Sequence, residues 1–172
     1  MSILKVDTIN EKTSGNGVYI PNHTIQTVQG VTSARVDLSP STNVWTSVYT
    51  NLATITPKSS SSKILITGVI SFYSSSTDGQ FYCDLAINRN SSLQGEVMGY
   101  TGFHRTTSST LMDVMHNIPF TYLDSPASTS ALNYGFSVKV RSYGQSNSTV
   151  YFTYNDSGGD QLSSFVLQEI AQ

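Results

Sequence analysis

Tyr134-Gly135-Phe136-Ser137-Val138-Lys139-Val140-Arg141 is the stretch that decides the fold. Tyr134, Phe136, Val138 and Val140 alternate with Gly135, Ser137, Lys139 and Arg141. A period of two turns one set of side chains into a core and the other toward water, so this is a half-buried β-strand. The same pattern recurs on its N-terminal side. Ile64, Ile66, Gly68, Ile70 and Phe72 share one face of a second strand, and Phe81, Cys83, Leu85 and Ile87 share one face of a third. Between such runs stand the turn-forming clusters 59–62, 74–79, 106–110, 124–126, 144–148 and 156–160, rich in Ser, Gly, Asn and Asp. This spacing predicts about seven to nine strands in roughly 140 residues, the signature of a sandwich or barrel. The expected fold is an all-β, antiparallel, jelly-roll-like β-sandwich.

Composition agrees. Ser and Thr number 48 of the 172 residues, against 14 for Ala, Glu and Lys together, so strong helix formers are scarce. Charged residues make up 12% of the chain with a net charge of −2, which offers no electrostatic basis for a nucleic-acid partner or an anionic membrane surface. No run of apolar residues is long enough to insert in a membrane as a helix.

The first thirty residues read differently. Ile3-Leu4-Lys5-Val6-Asp7-Thr8-Ile9 is a short alternating stretch, and Val18-Tyr19-Ile20 is a second, halted by Pro21. Strands this short cannot hold a core of their own, so they pair with the main domain or with other molecules. Between His23 and Ser33, Ile25, Val28 and Val31 are spaced three apart, compatible with a helical turn or an extended connector. The expected division is an attachment and oligomerisation segment at 1–33 and a sandwich domain at 34–172.

Catalytic signatures are missing. No GxSxG, phosphate-binding loop, HExxH or CxxC occurs, and the acids are scattered, so no catalytic residue, metal site or cofactor is assigned. Cys83, alone and flanked by apolar residues, reads as a buried small hydrophobe. His116 falls in phase with Met112, Val114, Ile118, Phe120 and Tyr122 and reads as a core histidine; on a threefold axis, three copies would converge on one ion. Asn155 to Asp160 could wrap calcium, but a turn between the last strands explains the same residues. Trp45 reads as core. Gly99-Tyr100-Thr101-Gly102-Phe103-His104-Arg105 alternates poorly and reads as an exposed loop. Tyr100, Phe103, His104 and Arg105 are therefore the candidate recognition residues, the other reading being aromatics that fill a sandwich edge or a subunit interface.

The chain resembles tailed-phage fibre proteins, notably those of aquatic phages. The residues that carry the resemblance are Ile3 to Ile9, the Gly-bearing loop and Val18-Tyr19-Ile20-Pro21 at the start. Further on they are Ile55-Thr56-Pro57-Lys58 with the serines leading into Lys63-Ile64-Leu65-Ile66, and Phe120 to Pro126. At the end they are Tyr154-Asn155-Asp156, the Gly pair, Ser163-Ser164 and Leu167-Gln168-Glu169-Ile170. The resemblance implies a virion protein made in the host cytoplasm: a homotrimer that docks on tail or capsid proteins through Leu4, Val6, Ile9, Val18 and Ile20. Its C-terminal tip would bind a host cell-surface glycan or outer-membrane protein. Without a shaft, the chain would be a short fibre or tip; a capsid decoration, head fibre or tail adaptor is the alternative, and a glycan hydrolase a third reading from another class. Independently, Leu65 and Val69 oppose Ile64, Ile66 and Ile70 on one strand, so its second face calls for a cover that a neighbouring subunit would supply.

Overall fold

The computed structural model describes residues 10, 20, 22–38, 43–76, 80–104, 112–141, 148–152, 155–156, 159–160 and 162–172; at 74–76, 80–81, 98, 100–104, 112–114, 148–151, 155–156 and 159–160 it describes the backbone only. Among the described residues there are strands and no helix. In chain order they are β1 (Thr24–Thr32), β2 (Val36–Leu38), β3 (Trp45–Ile55), β4 (Lys63–Ser76), β5 (Gln80–Arg89) and β6 (Ser92–His104). There follow β7 (Met112–Asp124), β8 (Leu132–Arg141), β9 (Ser148–Phe152), β10 (Asn155–Asp156), β11 (Gly159–Asp160) and β12 (Ser163–Ile170).

These segments reduce to eight long strands. β9 and β12 both run antiparallel to β4 along one of its edges, β9 against Phe72 to Ser76 and β12 against Lys63 to Val69. They are one strand interrupted by an excursion that carries the small β10–β11 hairpin. β1 and β2 likewise form one broken strand, β1 on β12 and β2 on β9. The first sheet is therefore β1/β2, β9/β12, β4 and β7, and the second is β3, β8, β5 and β6. Every connection crosses between sheets except the β5–β6 hairpin. That is the jelly-roll connectivity, and all neighbours are antiparallel.

The core forms where the two inner faces meet. Ile64, Ile66, Ile70, Phe72, Phe152, Phe165 and Leu167 come from the first sheet, and Cys83, Leu85, Ile87, Tyr134, Phe136 and Val138 from the second, all with no exposed surface. Phe136 is central, with its ring 5.4 Å from Phe152, 6.1 Å from Phe165 and 5.3 Å from Tyr49. The alternating faces read from the sequence are these buried faces, Phe81 aside, whose side chain lies outside the described residues. Cys83 lies in the core, and burial raises its thiol pKa, with the neighbouring Asp84 charge adding to the effect. His116 is half-buried on the inner face of β7, stacked on Phe72 at 4.6 Å, and burial lowers its pKa.

The segment from His23 to Ser33 is extended, not helical. β1 pairs with β12 over Thr24 to Thr32, so the expected boundary between residues 33 and 34 falls inside the broken β1/β2 strand, and residues 24–33 belong to the sandwich. Gly30 is what lets β1 close against β3: a Cβ there would lie 1.9 Å from the Leu52 carbonyl oxygen. On the decisive strand, Gly135 makes the same allowance, its missing Cβ 1.9 Å from the Tyr49 oxygen where β3 shifts register.

Two buried carboxylates tie the parts together. At the end of β7, Asp124 accepts from Arg89 Nη1 (2.7 Å) and from the Tyr134 hydroxyl (2.6 Å), joining the two sheets. Burial first, and then this bond to Asp124, push the Tyr134 phenol pKa upward. Glu169, fully buried on β12, accepts from Gln26 Nε2 (2.6 Å) and from the Lys58 and Ser59 amides (2.8 and 3.3 Å). The stretches Ile55 to Lys58 and Leu167 to Ile170, distant in sequence, thus meet at one carboxylate.

Candidate functional site

The sandwich has two ends. Thr24 pairs with Ile170, Ile170 with Lys63 and Ile64 with Asp124, and Asp124 bonds Arg89 and Tyr134 of the other sheet. These residues mark the end at which the chain enters β1. The pairs Gln80–His104 and Tyr82–Arg141 lie toward the opposite end. The segment expected to be an exposed loop is strand up to His104: Tyr100 to His104 continue β6, the edge of the second sheet, with Phe103 opposite Phe81. The three register shifts between β5 and β6 lie upstream of it, and from Thr101 to His104 the pairing is regular. The side chains of Tyr100, Phe103 and His104, and all of Arg105, lie outside the described residues, as do Leu4, Val6, Ile9 and Val18. Ile20 is exposed, its carbonyl accepting from the His23 amide at 3.2 Å.

The outer face of the second sheet carries a denser constellation. Trp45 begins β3 and sits opposite Lys139 on β8, which sits opposite Asp84 on β5. Trp45 is half-buried on this outer face and is not core. Asp84 is fully buried although it points away from the sandwich core, and accepts from Lys139 Nζ at 2.8 Å and Arg141 Nε at 2.6 Å. Lys139 Nζ also stands 4.5 Å from the Trp45 ring centre, a cation–π contact. Beside this chain Asn88 and Ser137, both buried, exchange hydrogen bonds of 2.9 and 3.1 Å, and Asn88 also donates to Ser47. Buried ions are costly unless paired and hydrogen-bonded, and here one carboxylate neutralises one of two cations while the indole face receives the ammonium.

Over this network lies a shallow recess of about 190 Å³ lined by Trp45, Ala86, Leu93, Gln94, Gly95 and Glu96. Four of these residues, Leu93 to Glu96, follow closely on the turn between β5 and β6. Asn90 and Ser91 both have positive φ (49° and 66°) between the paired Arg89 and Ser92, the geometry of a two-residue type I′ turn. The turn is pinned to β8 by a hydrogen bond from the Asn90 amide to the Asn133 carbonyl and one from the Asn133 amide to Asn90 Oδ1.

Sequence reasoning overlooked this group. Lys139 and Arg141 read as ordinary solvent-facing positions of the cleanest strand, and Asp84 as one scattered acid. The available signal was Asp84 itself, a charge embedded between Cys83 and Leu85.

The first sheet presents a contrasting outer face. Leu65, Thr67, Val69, Ser71 and Tyr73 on β4, Met115, Asn117, Pro119, Thr121 and Leu123 on β7, and Ser164, Val166, Gln168 and Ile170 on β12 point outward, a mixture of apolar and neutral polar residues, with Lys63 on β4 and Asp37 on β2 carrying charge toward its two ends. Met115 and Leu123 are 60% and 51% exposed. Among the described residues no group of three or more His, Cys, Asp or Glu is placed to hold a metal ion, and no helix is long and apolar enough to cross a membrane. No protein-family model matches the chain, and no curated protein matches it in sequence.

Proposed function

We propose that this chain is a virion structural protein, a short tail fibre or fibre tip, which assembles as a homotrimer, attaches through its N-terminal segment and touches the host surface with the sandwich. The observation that carries the reading is the charge-poor middle of the first sheet's outer face, where Leu65, Val69 and Val166 lie beside the exposed Met115 and Leu123, between Lys63 toward one end and Asp37 toward the other. Exposed apolar side chains gathered on one face, rather than scattered singly, mark an interaction surface. Its sparse charge favours a copy of itself over a charged partner, because a cyclic assembly repeats one patch around its axis and repeated charge would repel. Two further features support the reading. The jelly roll is an architecture common among viral structural domains. The chain enters the sandwich at Thr24 on the first sheet, while the Trp45 recess lies on the outer face of the second, which allows attachment and contact through different surfaces. Repetition in a trimer would convert weak contacts into avidity gains of about 10²–10⁴.

The test is the solution mass of the full chain by light scattering, beside Leu123→Glu. The expected result is three times the 18.7 kDa chain mass for the parent, falling to one chain for the variant with its fold intact by circular dichroism. A monomeric parent overturns the trimer and the avidity argument with it. A variant that stays trimeric moves the interface away from this face.

A further inference from the structure

We infer that the recess on the outer face of β3, β8, β5 and β6 binds one uncharged pyranose ring stacked on Trp45. The volume comes first. At about 190 Å³ the recess exceeds many times over the roughly 10–15 Å³ that a single water needs, and it is on the scale of one small ring rather than an extended chain. The lining comes next. Trp45, Ala86 and Leu93 give apolar surface, while the Gln94 amide and Glu96 carboxylate give donors and acceptors at the margin. A flat apolar wall bordered by hydrogen-bonding groups complements a molecule with a C–H-rich face and a rim of hydroxyls.

Charge then narrows the class. Asp84 and Glu96 balance Lys139 and Arg141, and both cations already contact Asp84, so the local field selects no anion. The platform is also held in advance: Asp84 fixes Lys139, and Lys139 lies against the Trp45 ring. A contact group ordered before binding spares the entropy of ordering it, which suits a site that engages a small ligand weakly. Choosing a saccharide over another neutral ring rests on the adhesive reading proposed above.

Trp45 is the chain's single tryptophan, so its emission reports on this recess alone. The full-length protein is titrated with methyl β-glucoside, methyl β-galactoside, methyl α-mannoside and N-acetylglucosamine, with inorganic phosphate as the charged control. The expected result is a saturable change in Trp45 emission in the millimolar range with at least one sugar and none with phosphate. Glu96→Ala, which keeps the reporter and lies on an exposed position, weakens that sugar about tenfold. Absence of a saturable response to all four sugars overturns the inference, as does an equal response to phosphate. Emission that changes with protein concentration alone overturns it too, because a second copy would then cover Trp45. Solution mass read on the same samples separates the two proposals. A trimer without sugar response defeats only the site, and a monomer with sugar response defeats only the assembly.

Discussion

The two outer faces of this sandwich solve the same problem in opposite ways. Each sheet has an inner face committed to the core, and each leaves a second face with no partner inside the chain. On the β1–β12–β4–β7 sheet that face mixes apolar with neutral polar residues, carries charge only toward its ends at Lys63 and Asp37 among the side chains described, and leaves Met115 and Leu123 open. On the β3–β8–β5–β6 sheet it is polar, yet Asp84, Ala86, Asn88 and Ser137 are buried there. The polar groups bond one another, and Trp45 lies over them. The first face requires something from outside to cover it, while the second is covered locally and leaves only a small recess. Apolar surface is indifferent to the identity of its cover, whereas a hydrogen-bonded and ion-paired face is ordered before anything arrives. The difference separates a surface suited to assembly from one suited to recognition.

The largest expected effect breaks the polar face. Asp84→Ala strands Lys139 and Arg141 beside each other and removes the support beneath Trp45; unfolding in urea should show a loss of about 3 kcal/mol, the low end for a broken buried pair because Arg141 is partly exposed. A loss under about 1 kcal/mol would mean that the ion cluster contributes little to order on that face. Leu123→Glu, an outward change on the apolar face, should by contrast leave the isolated protomer within about 0.5 kcal/mol while abolishing assembly. If both substitutions cost the same, the distinction between the faces fails.

Smaller effects come from sites on neither outer face. His116 has its pKa lowered from 6.5 by burial, so in the window below pH 6.5 the unfolded chain binds more protons than the folded one. Stability from this group is complete above that window and declines as pH falls through it. His116→Phe, which keeps the stack on Phe72, should flatten that part of the Tm–pH profile, and an unchanged slope would point to other groups. Smallest is Ser91→Gly at the type I′ turn. Relieving a non-glycine residue at positive φ should stabilise the protein by about 0.5 kcal/mol and leave both faces as they are, read from the denaturation midpoint. Destabilisation instead would show that the Ser91 side chain contributes more than its backbone strain costs.

Much of this architecture was legible in advance because period-two alternation is a local property. Tyr134 to Val140, Ile64 to Phe72 and Cys83 to Ile87 announce their buried faces without reference to any partner. Where alternation breaks, legibility breaks with it. Trp45, Val48, Ala53 and Ile55 do not keep one phase, because β3 shifts register twice against β8, and that is why Trp45 reads as core when it lies outside. The stretch from Tyr100 to His104 reads as loop for another reason: Gly99 and Gly102 interrupt its alternation, although its pairing with β5 is regular from Thr101 on.

The sequence by itself determined the class: all-β, antiparallel, with a buried cysteine and a core-facing histidine. It also exposed the double apolar character of β4. What only the tertiary structure decided was which outward residues meet. Asp84 finds Arg141 across 57 positions and Glu169 finds Lys58 across 111, through strand order and register that no local pattern encodes. Alternation says which side of a sheet a residue takes, but its neighbour on that side is chosen by long-range pairing. The charge-poor face of the first sheet and the polar platform of the second are both products of that pairing.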